Sequence, residues 1–419
     1  MTAQTIPLSL AGSGSSAERW LNAIDEPVES LYLHVPFCFH KCHYCDFYSF
    51  VDTQDRQPAF TDALILEVRR LADFASRGRP EAGKPSLSTL FVGGGTPSLL
   101  RTNLWERLLG ALHESFRFKP DAEFTVECNP ETVTPDLIRA LRAGGVNRVS
   151  IGAQSFEARH LKTLERWHDP ANVQRALRLA AEGGIERRNI DLIFAVPGQS
   201  IDEWRGDLER ALALDPGVEH LSCYALTYEP NTAMTQRLRL GQFTPMDDET
   251  ESEMYRLTVS ILRDRGYNRY EVSNFARPGA ECRHNLAYWR HRQWLAAGPS
   301  ASTHVAGARW KNIPRLSEWL ESIAANRGIS AVVDLETPDE GRALRERIML
   351  GLRLSEGLES APLLSRAAMH GADTRLLRVA QKYADTGAMT MSGERWALTD
   401  EGFLIADSIA AELMSAVRC

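Results

Sequence analysis

The sequence predicts an α/β protein: about six β/α units followed by a small helical domain. Three observations predict it. Short β-rich runs alternate with longer stretches of helical periodicity over residues 30–230, the pattern of parallel strands joined by crossover helices. Gly and Pro stand at the ends of these runs, as at Pro36 and Gly93-Gly94-Gly95. Near Leu335 the texture changes, and helical segments with one β-like stretch replace the alternation.

Residues 1–29 read as a loose arm, rich in Ser, Gly and Ala at the start. The first strand is Leu31–Val35; Pro36 stops it, and a cysteine-bearing loop follows. The first helix covers Pro58–Ala75, because Pro58 suits a first turn and Phe60, Leu64, Val68 and Leu71 share one face. Ser76–Ser86 reads as a surface loop. Further strands are expected at Leu87–Val92, Glu123–Glu127, Arg148–Ile151, Ile190–Phe194 and His220–Ala225, with helical patterns between them. Six strands fall short of the eight of a closed TIM-type barrel. Beyond them the spacing predicts a helix over Asp247–Arg265 and a loop-rich stretch, Tyr267–Trp310. A helix over Asp339–Leu354, short helices to Tyr383, a β-like stretch around Trp396 and a last helix capped by Thr399 make a helical domain of winged-helix character. The expected division is an arm at 1–29, a β/α barrel at 30–230, an extension at 231–334 and a C-terminal domain at 335–419.

Composition narrows the function. The 419 residues are 43% hydrophobic and 25% charged, as in soluble globular proteins, and the net charge of −7 disfavours a general nucleic-acid binder. No apolar run approaches the roughly 18 residues of a membrane span. Met1–Arg19 lacks the basic start and apolar stretch of a signal peptide, so a reducing cytoplasm is the expected location. Of seven cysteines, Cys128, Cys223, Cys282 and Cys419 are scattered, which is no disulfide framework; the other three cluster.

The cluster is Cys38-Phe39-His40-Lys41-Cys42-His43-Tyr44-Cys45, a C-x3-C-x2-C spacing. A structural zinc site needs four ligands, and His40 or His43 is available as the fourth; that alternative, a zinc-stabilised interaction module, stays open. A [4Fe–4S] cluster normally takes four cysteines, so three leave one iron able to bind a small molecule. Other residues stand where ligands are met. Gly93-Gly94-Gly95-Thr96-Pro97 follows a strand, where glycines permit close backbone approach. Glu127 ends one strand, and Gln154 lies just past another. Asp191 is a lone acid in an apolar strand, expensive unless paired or ligand-bound; Arg166 is a candidate partner, or a carboxylate clamp.

The cysteine triplet after the first strand, with Tyr44 before its last member, resembles the radical S-adenosylmethionine superfamily. The segments Tyr32-Leu33-His34-Val35-Pro36-Phe37-Cys38, Gly-Gly-Gly-Thr-Pro-Ser, Glu-Cys-Asn-Pro, Ser-Ile-Gly-Ala-Gln-Ser-Phe and Asp191-Leu-Ile-Phe-Ala-Val-Pro-Gly-Gln199 narrow it. Together they resemble the oxygen-independent coproporphyrinogen III oxidase group, which includes the HemW-type heme chaperones. The resemblance implies a partial (β/α)6 TIM-like barrel with a C-terminal helical domain. It implies a [4Fe–4S] cluster on Cys38, Cys42 and Cys45, and S-adenosylmethionine contacts at Tyr32, Gly94, Gly95, Thr96, Glu127, Gln154, Arg166 and Asp191.

Two features divide the group. The oxidases resemble C-x3-C-x2-C-x-C, whereas Phe47 stands here at the last position, as in the chaperones. His284-Asn285-Leu286-Ala287-Tyr288-Trp289 matches the chaperones' H-N-x-x-Y-W motif, which implies heme binding at His284. Imidazole is a common axial ligand of heme iron, and Tyr and Trp offer flat apolar contact. Cys282, His291 and His304 are further candidate ligands. The expected function is heme delivery to heme-accepting proteins, with a membrane surface as one place of delivery; the alternative is oxidative decarboxylation of coproporphyrinogen III. Two segments depart from the family: Ala195-Val196-Pro197-Gly198 replaces a Gly-Leu-Pro-Gly type turn, and Ala297-Gly298-Pro299-Ser300-Ala301 carries an unusual Pro.

Overall fold

The computed structural model describes residues 15–77 and 83–417. The start of the expected arm, the middle of the Ser76–Ser86 loop and Cys419 lie outside the described residues. Within the expected arm Ser15–Leu21 is a short helix, which buries Ala17 and Leu21.

Seven strands carry the architecture: β1 Ser30–Val35, β2 Ser86–Gly94, β3 Arg117–Cys128, β4 Arg148–Gln154, β5 Arg187–Phe194, β6 His220–Ala225 and β7 Leu295–Ala297. Helices α1 Gln57–Ser76, α2 Thr102–Ser115, α3 Pro135–Ala143 and α4 Ala171–Glu182 follow β1 to β4; α5 Ile201–Leu212 follows β5. Later come α6 Asp248–Asp264, α7 Arg283–Trp289, α8 Leu316–Ala325, α9 Glu340–Leu352, α10 Ser360–Met369 and α11 Asp373–Asp385. The fold is α/β, and its strand pairing is mostly parallel.

The described chain packs as two compact units. The first comprises Met1–Ile151, Arg175–Glu186 and Gln293–Pro338. Its strands run β7-β1-β2-β3-β4, every neighbouring pair parallel. Leu31, Leu33, Val35, Leu90, Val92, Phe124 and Val126 are buried, as expected of parallel strands covered on both faces. Helix α1 buries Phe60, Leu64, Val68 and Leu71, the face the sequence predicts, and each such side chain contributes about 1.5–3 kcal/mol of burial.

The second unit comprises Gly152–Gln174, Arg187–Arg292 and Asp339–Cys419. In it β5 and β6 are parallel, and Asn274–Ala276 runs antiparallel beside β6. Ser200 and Glu203 close a capping box at the start of α5, and Asp247 caps α6. Helices α9 to α11 and the hairpin Met389–Ser392/Arg395–Leu398 enclose Leu344, Ile348, Leu376, Trp396 and Ile409, the helices-plus-wing arrangement expected of the C-terminal segment. Thr399 caps the last helical stretch through the Gly402 N–H, but Ile405 interrupts that stretch, giving Asp400–Leu404 and Ala406–Ala416. No helix among the described residues is long and apolar enough to cross a membrane.

The stretch Tyr267–Trp310 corrects the sequence reading. It holds α7, strand β7 and the hairpin Ser302–Val305/Ala308–Asn312. Strand β7 pairs in parallel with Leu31–Leu33, so the strand that leads into the cysteine loop has a neighbour on each side. Three residues, Leu-Ala-Ala, are too short to show a periodicity, and their partner lies some 260 residues away in sequence, about the span of a whole barrel domain.

Candidate functional site

The cysteine loop leaves the end of β1. Pro36 ends the strand, and Phe37–Cys38 pairs in parallel with Phe50–Val51, closing the loop at its base. Phe37 is fully buried there, edge-on to Phe60 at 5.1 Å and Phe50 at 5.7 Å. The loop above is pinned from within: Lys41 Nζ donates to the Phe47 carbonyl at 2.5 Å and to Ser49 Oγ at 3.0 Å. Phe39 and Phe47 are exposed.

Cys38, Cys42 and Cys45 carry free thiols. Thr96 Oγ1 donates to Cys38 Sγ at 3.6 Å, and the Cys45 N–H donates to the Cys42 carbonyl at 3.3 Å. Burial pushes the Cys45 thiol up to about 11; the Lys41 charge opposes this, while Cys42 and Cys38 add to it. Among the described residues no trio of His, Cys, Asp or Glu is gathered for one metal ion. A four-iron cluster distributes its thiolates over separate irons, and three neighbouring thiols with a hydroxyl donor beside one of them fit that donor set.

The glycine run lies beside this loop, for a reason the sequence did not reveal. Its missing side chains make room for protein atoms: a Cβ at Gly93 would sit 2.8 Å from Glu127 Oε2, at Gly94 2.5 Å from the His34 ring, and at Gly95 2.7 Å from the Phe37 carbonyl. Gly94 also has φ of +106°. Its N–H donates to Glu127 Oε2 at 3.2 Å, so strand ends β2 and β3 bring Gly94 and Glu127 together. Tyr32 stacks on Phe91 and its hydroxyl lies 3.1 Å from His34 Nδ1. His34 is 4% exposed, and burial lowers it to about 4. The sequence reading passed over His34, although a lone polar residue in an apolar strand is the signal that singled out Asp191.

The second unit holds Gln154, Arg166 and Asp191. Gln154 has φ of +63°, a left-handed conformation rare for a side-chain-bearing residue and common at functional sites. Arg166 Nη2 donates to the Gly152 carbonyl at 3.0 Å. A Cβ on Gly152 would lie 2.7 Å from Gln154 Nε2 and 3.0 Å from Arg166 Nη2, so this glycine lets the two side chains converge. Asp191 Oδ1 accepts from Asn189 Nδ2 at 2.7 Å; Asn189 in turn bonds His220, whose Nε2 meets the Tyr270 hydroxyl at 2.9 Å. Ala195 has φ of +59°, so the turn after β5 keeps a glycine-like backbone although the glycine is gone.

His284 also lies in the second unit, on helix α7 and not on a loop. It is 2% exposed, its Nε2 is 2.9 Å from the Tyr288 hydroxyl, and burial lowers it to about 3. Cys282, buried, is the residue that starts the helix. Arg353 lies 5.1 Å over Trp289, Arg290 grips Glu356 at 3.0 Å, and His291 meets Glu346 at 3.0 Å, so α7 is fastened on one side to the α9 region. His304 belongs to the first unit, tilted against Trp294 at 4.9 Å.

A profile described as the Radical SAM superfamily matches residues 32–211. The fold is similar to that of the coproporphyrinogen III oxidase HemN from Escherichia coli, a radical SAM enzyme, with a TM-score of 0.82 and 23% identity over 98% of this chain and 95% of that one. Fold and profile define the class, a radical SAM α/β protein. The heme chaperone HemW of Mycobacterium tuberculosis H37Rv is 36% identical over 386 residues, covering 92% of this chain and 94% of the relative. The heme chaperone HemW of Escherichia coli K12 is 34% identical over 388 residues, covering 91% and 97%. The chain belongs to the HemW family.

Proposed function

We propose that this chain is a cytoplasmic heme chaperone that holds a [4Fe–4S] cluster and S-adenosylmethionine, binds heme and hands it to heme-accepting proteins. The observation that carries the reading is the loop of Cys38, Cys42 and Cys45, closed at its base beside Gly94, Thr96 and Glu127, with Phe47 where a fourth cysteine would stand. The thiolates of the three cysteines hold the cluster, and the Thr96 hydroxyl supports the Cys38 sulfur. When bound, the cluster supplies an iron with an open coordination position and an electron. Tyr32, Gly94, Gly95, Thr96 and Glu127 are proposed as S-adenosylmethionine contacts of the first unit, and Gln154, Arg166 and Asp191 as those of the second. The division at residues 230 and 335 into barrel, extension and C-terminal domain is part of the same proposal.

Heme is assigned to the segment of His284, Tyr288 and Trp289. Ligation of heme iron through His284 Nε2 requires the Tyr288 hydroxyl to release that nitrogen. Anaerobic reconstitution with iron and sulfide, followed by heme titration of the wild type and of His284→Ala, tests the reading. A heme complex with a shifted Soret band, weakened in His284→Ala, supports it. Conversion of coproporphyrinogen III to protoporphyrinogen IX under reducing conditions would assign the oxidase activity instead.

A further inference from the structure

We propose that His34 is a positioning residue that turns the Tyr32 hydroxyl so that its oxygen accepts a hydrogen bond from S-adenosylmethionine. The proposal rests on the S-adenosylmethionine site described above and assigns a direction to one of its bonds.

The direction follows from what each atom is able to do. A backbone carbonyl only accepts, so the 2.8 Å contact of His34 Nε2 with the Tyr48 carbonyl puts the ring hydrogen on Nε2. The ring is 4% exposed and both nitrogens face neutral groups, Tyr48 O and Tyr32 Oη, so nothing compensates a second proton. Nδ1 is therefore bare and accepts. The Tyr32 hydroxyl, 3.1 Å away, has one hydrogen and donates it there. From any further partner the Tyr32 oxygen only accepts. S-adenosylmethionine offers N–H donors at its α-ammonium and at its adenine amino group, whereas its carboxylate would be refused.

The ring has little room to turn. A Cβ on Gly94 would sit 2.5 Å from His34 Cε1, so the glycine backbone lies directly on the imidazole. Gly298 takes the same close position over the His34 backbone, with φ of +100°. Tyr48 is held in turn, its hydroxyl accepting the Leu316 N–H at 2.8 Å at the start of α8. Tyr32 itself is steadied by Phe91, with ring centroids 6.3 Å apart. The chain of bonds from Leu316 through Tyr48 and His34 to Tyr32 therefore ends on a hydroxyl of fixed sense.

A double-mutant cycle on the full chain, reconstituted anaerobically, reads this out. Iron content and S-adenosylmethionine dissociation constants are measured for the wild type, Tyr32→Phe, His34→Phe and the double variant. Each single change is expected to weaken S-adenosylmethionine about tenfold, the worth of one hydrogen bond, with iron content unchanged. The double variant is expected to bind no more weakly than the worse single one, since both changes remove the same bond. His34→Gln provides a second variant of different shape with the same expected loss. Wild-type affinity in both His34 variants, losses that multiply to about a hundredfold in the double variant, or iron loss in both His34 variants would overturn the proposal. A wild type that takes up iron but not S-adenosylmethionine overturns the underlying site reading as well; one that takes up no iron overturns the cluster.

Discussion

Glu67 Oε2 accepts the Gly298 backbone N–H at 2.7 Å, with the carboxyl group buried beneath the first unit's surface. Its other oxygen takes the Asn312 amide at 2.9 Å, so one helix side chain holds the turn after β7 against the hairpin that follows. Burial pushes Glu67 up to about 8, against the pull of these donors. Below its ordinary range the folded and unfolded chains both hold the proton. Between there and about 8 the folded chain holds a proton that the unfolded chain has lost, so this group's contribution to stability falls as pH rises. Denaturant titrations from about pH 5 to about pH 8 are expected to show Glu67→Gln with a flatter pH dependence than the wild type. The variant should also be about 1–3 kcal/mol less stable near pH 5, because its NH2 faces one of the two donors.

Gly94→Ala is expected to destabilise by about 2–4 kcal/mol, since its Cβ meets the His34 ring and the backbone is left-handed. Gly279→Ala has the same sign of φ, at +82°, but no neighbour within 4 Å, and should lose only about 1 kcal/mol. Denaturant midpoints of the two variants compare crowding with strain alone. Equal losses would mean that contact with His34 contributes nothing.

Asp207 fixes the turn that follows Gln154. Its carboxylate accepts from Ser155 Oγ at 2.6 Å and from the Phe156 N–H at 2.8 Å, and the side chain is buried. Asp207→Ala strands both donors and is expected to lose about 2–4 kcal/mol. It should also weaken S-adenosylmethionine binding by displacing Gln154, which isothermal titration of the reconstituted protein reads directly. Unchanged affinity would detach Gln154 from that ligand.

Ala195→Gly is expected to stabilise by up to about 1 kcal/mol, because φ of +59° suits glycine better than alanine. The unfolded chain gains freedom and offsets part of this. A rise in midpoint, read by thermal or denaturant unfolding, supports the left-handed turn; a clear fall would contradict it.

Much of the first unit was legible because its signals are local. Pro36 ends β1 one residue after Val35, and Pro58 sits in the first turn of α1; in the second unit Thr399 likewise caps the helix it was expected to cap. The cysteine triplet announced itself by spacing alone. What stayed hidden depends on distant contacts. Strand β7 exists because Leu295–Ala297 finds Leu31–Leu33, a pairing no local pattern reports. His284 falls in a stretch expected to be loop-rich, but α7 buries it against Tyr288. The run Gly93-Gly94-Gly95 suggests room for a ligand, and its first use is contact with Glu127, His34 and Phe37. β3 begins at Arg117, six residues before its expected start, because Ser86 and Leu87 pair with Arg117 and Phe118.

Heme titration of the anaerobically reconstituted chain decides whether this protein is a heme carrier. The expected results are a saturable heme complex with a shifted Soret band, reduced affinity in His284→Ala, and no protoporphyrinogen IX from coproporphyrinogen III. A wild type that carries its iron–sulfur cluster yet leaves the spectrum of heme unchanged would contradict it.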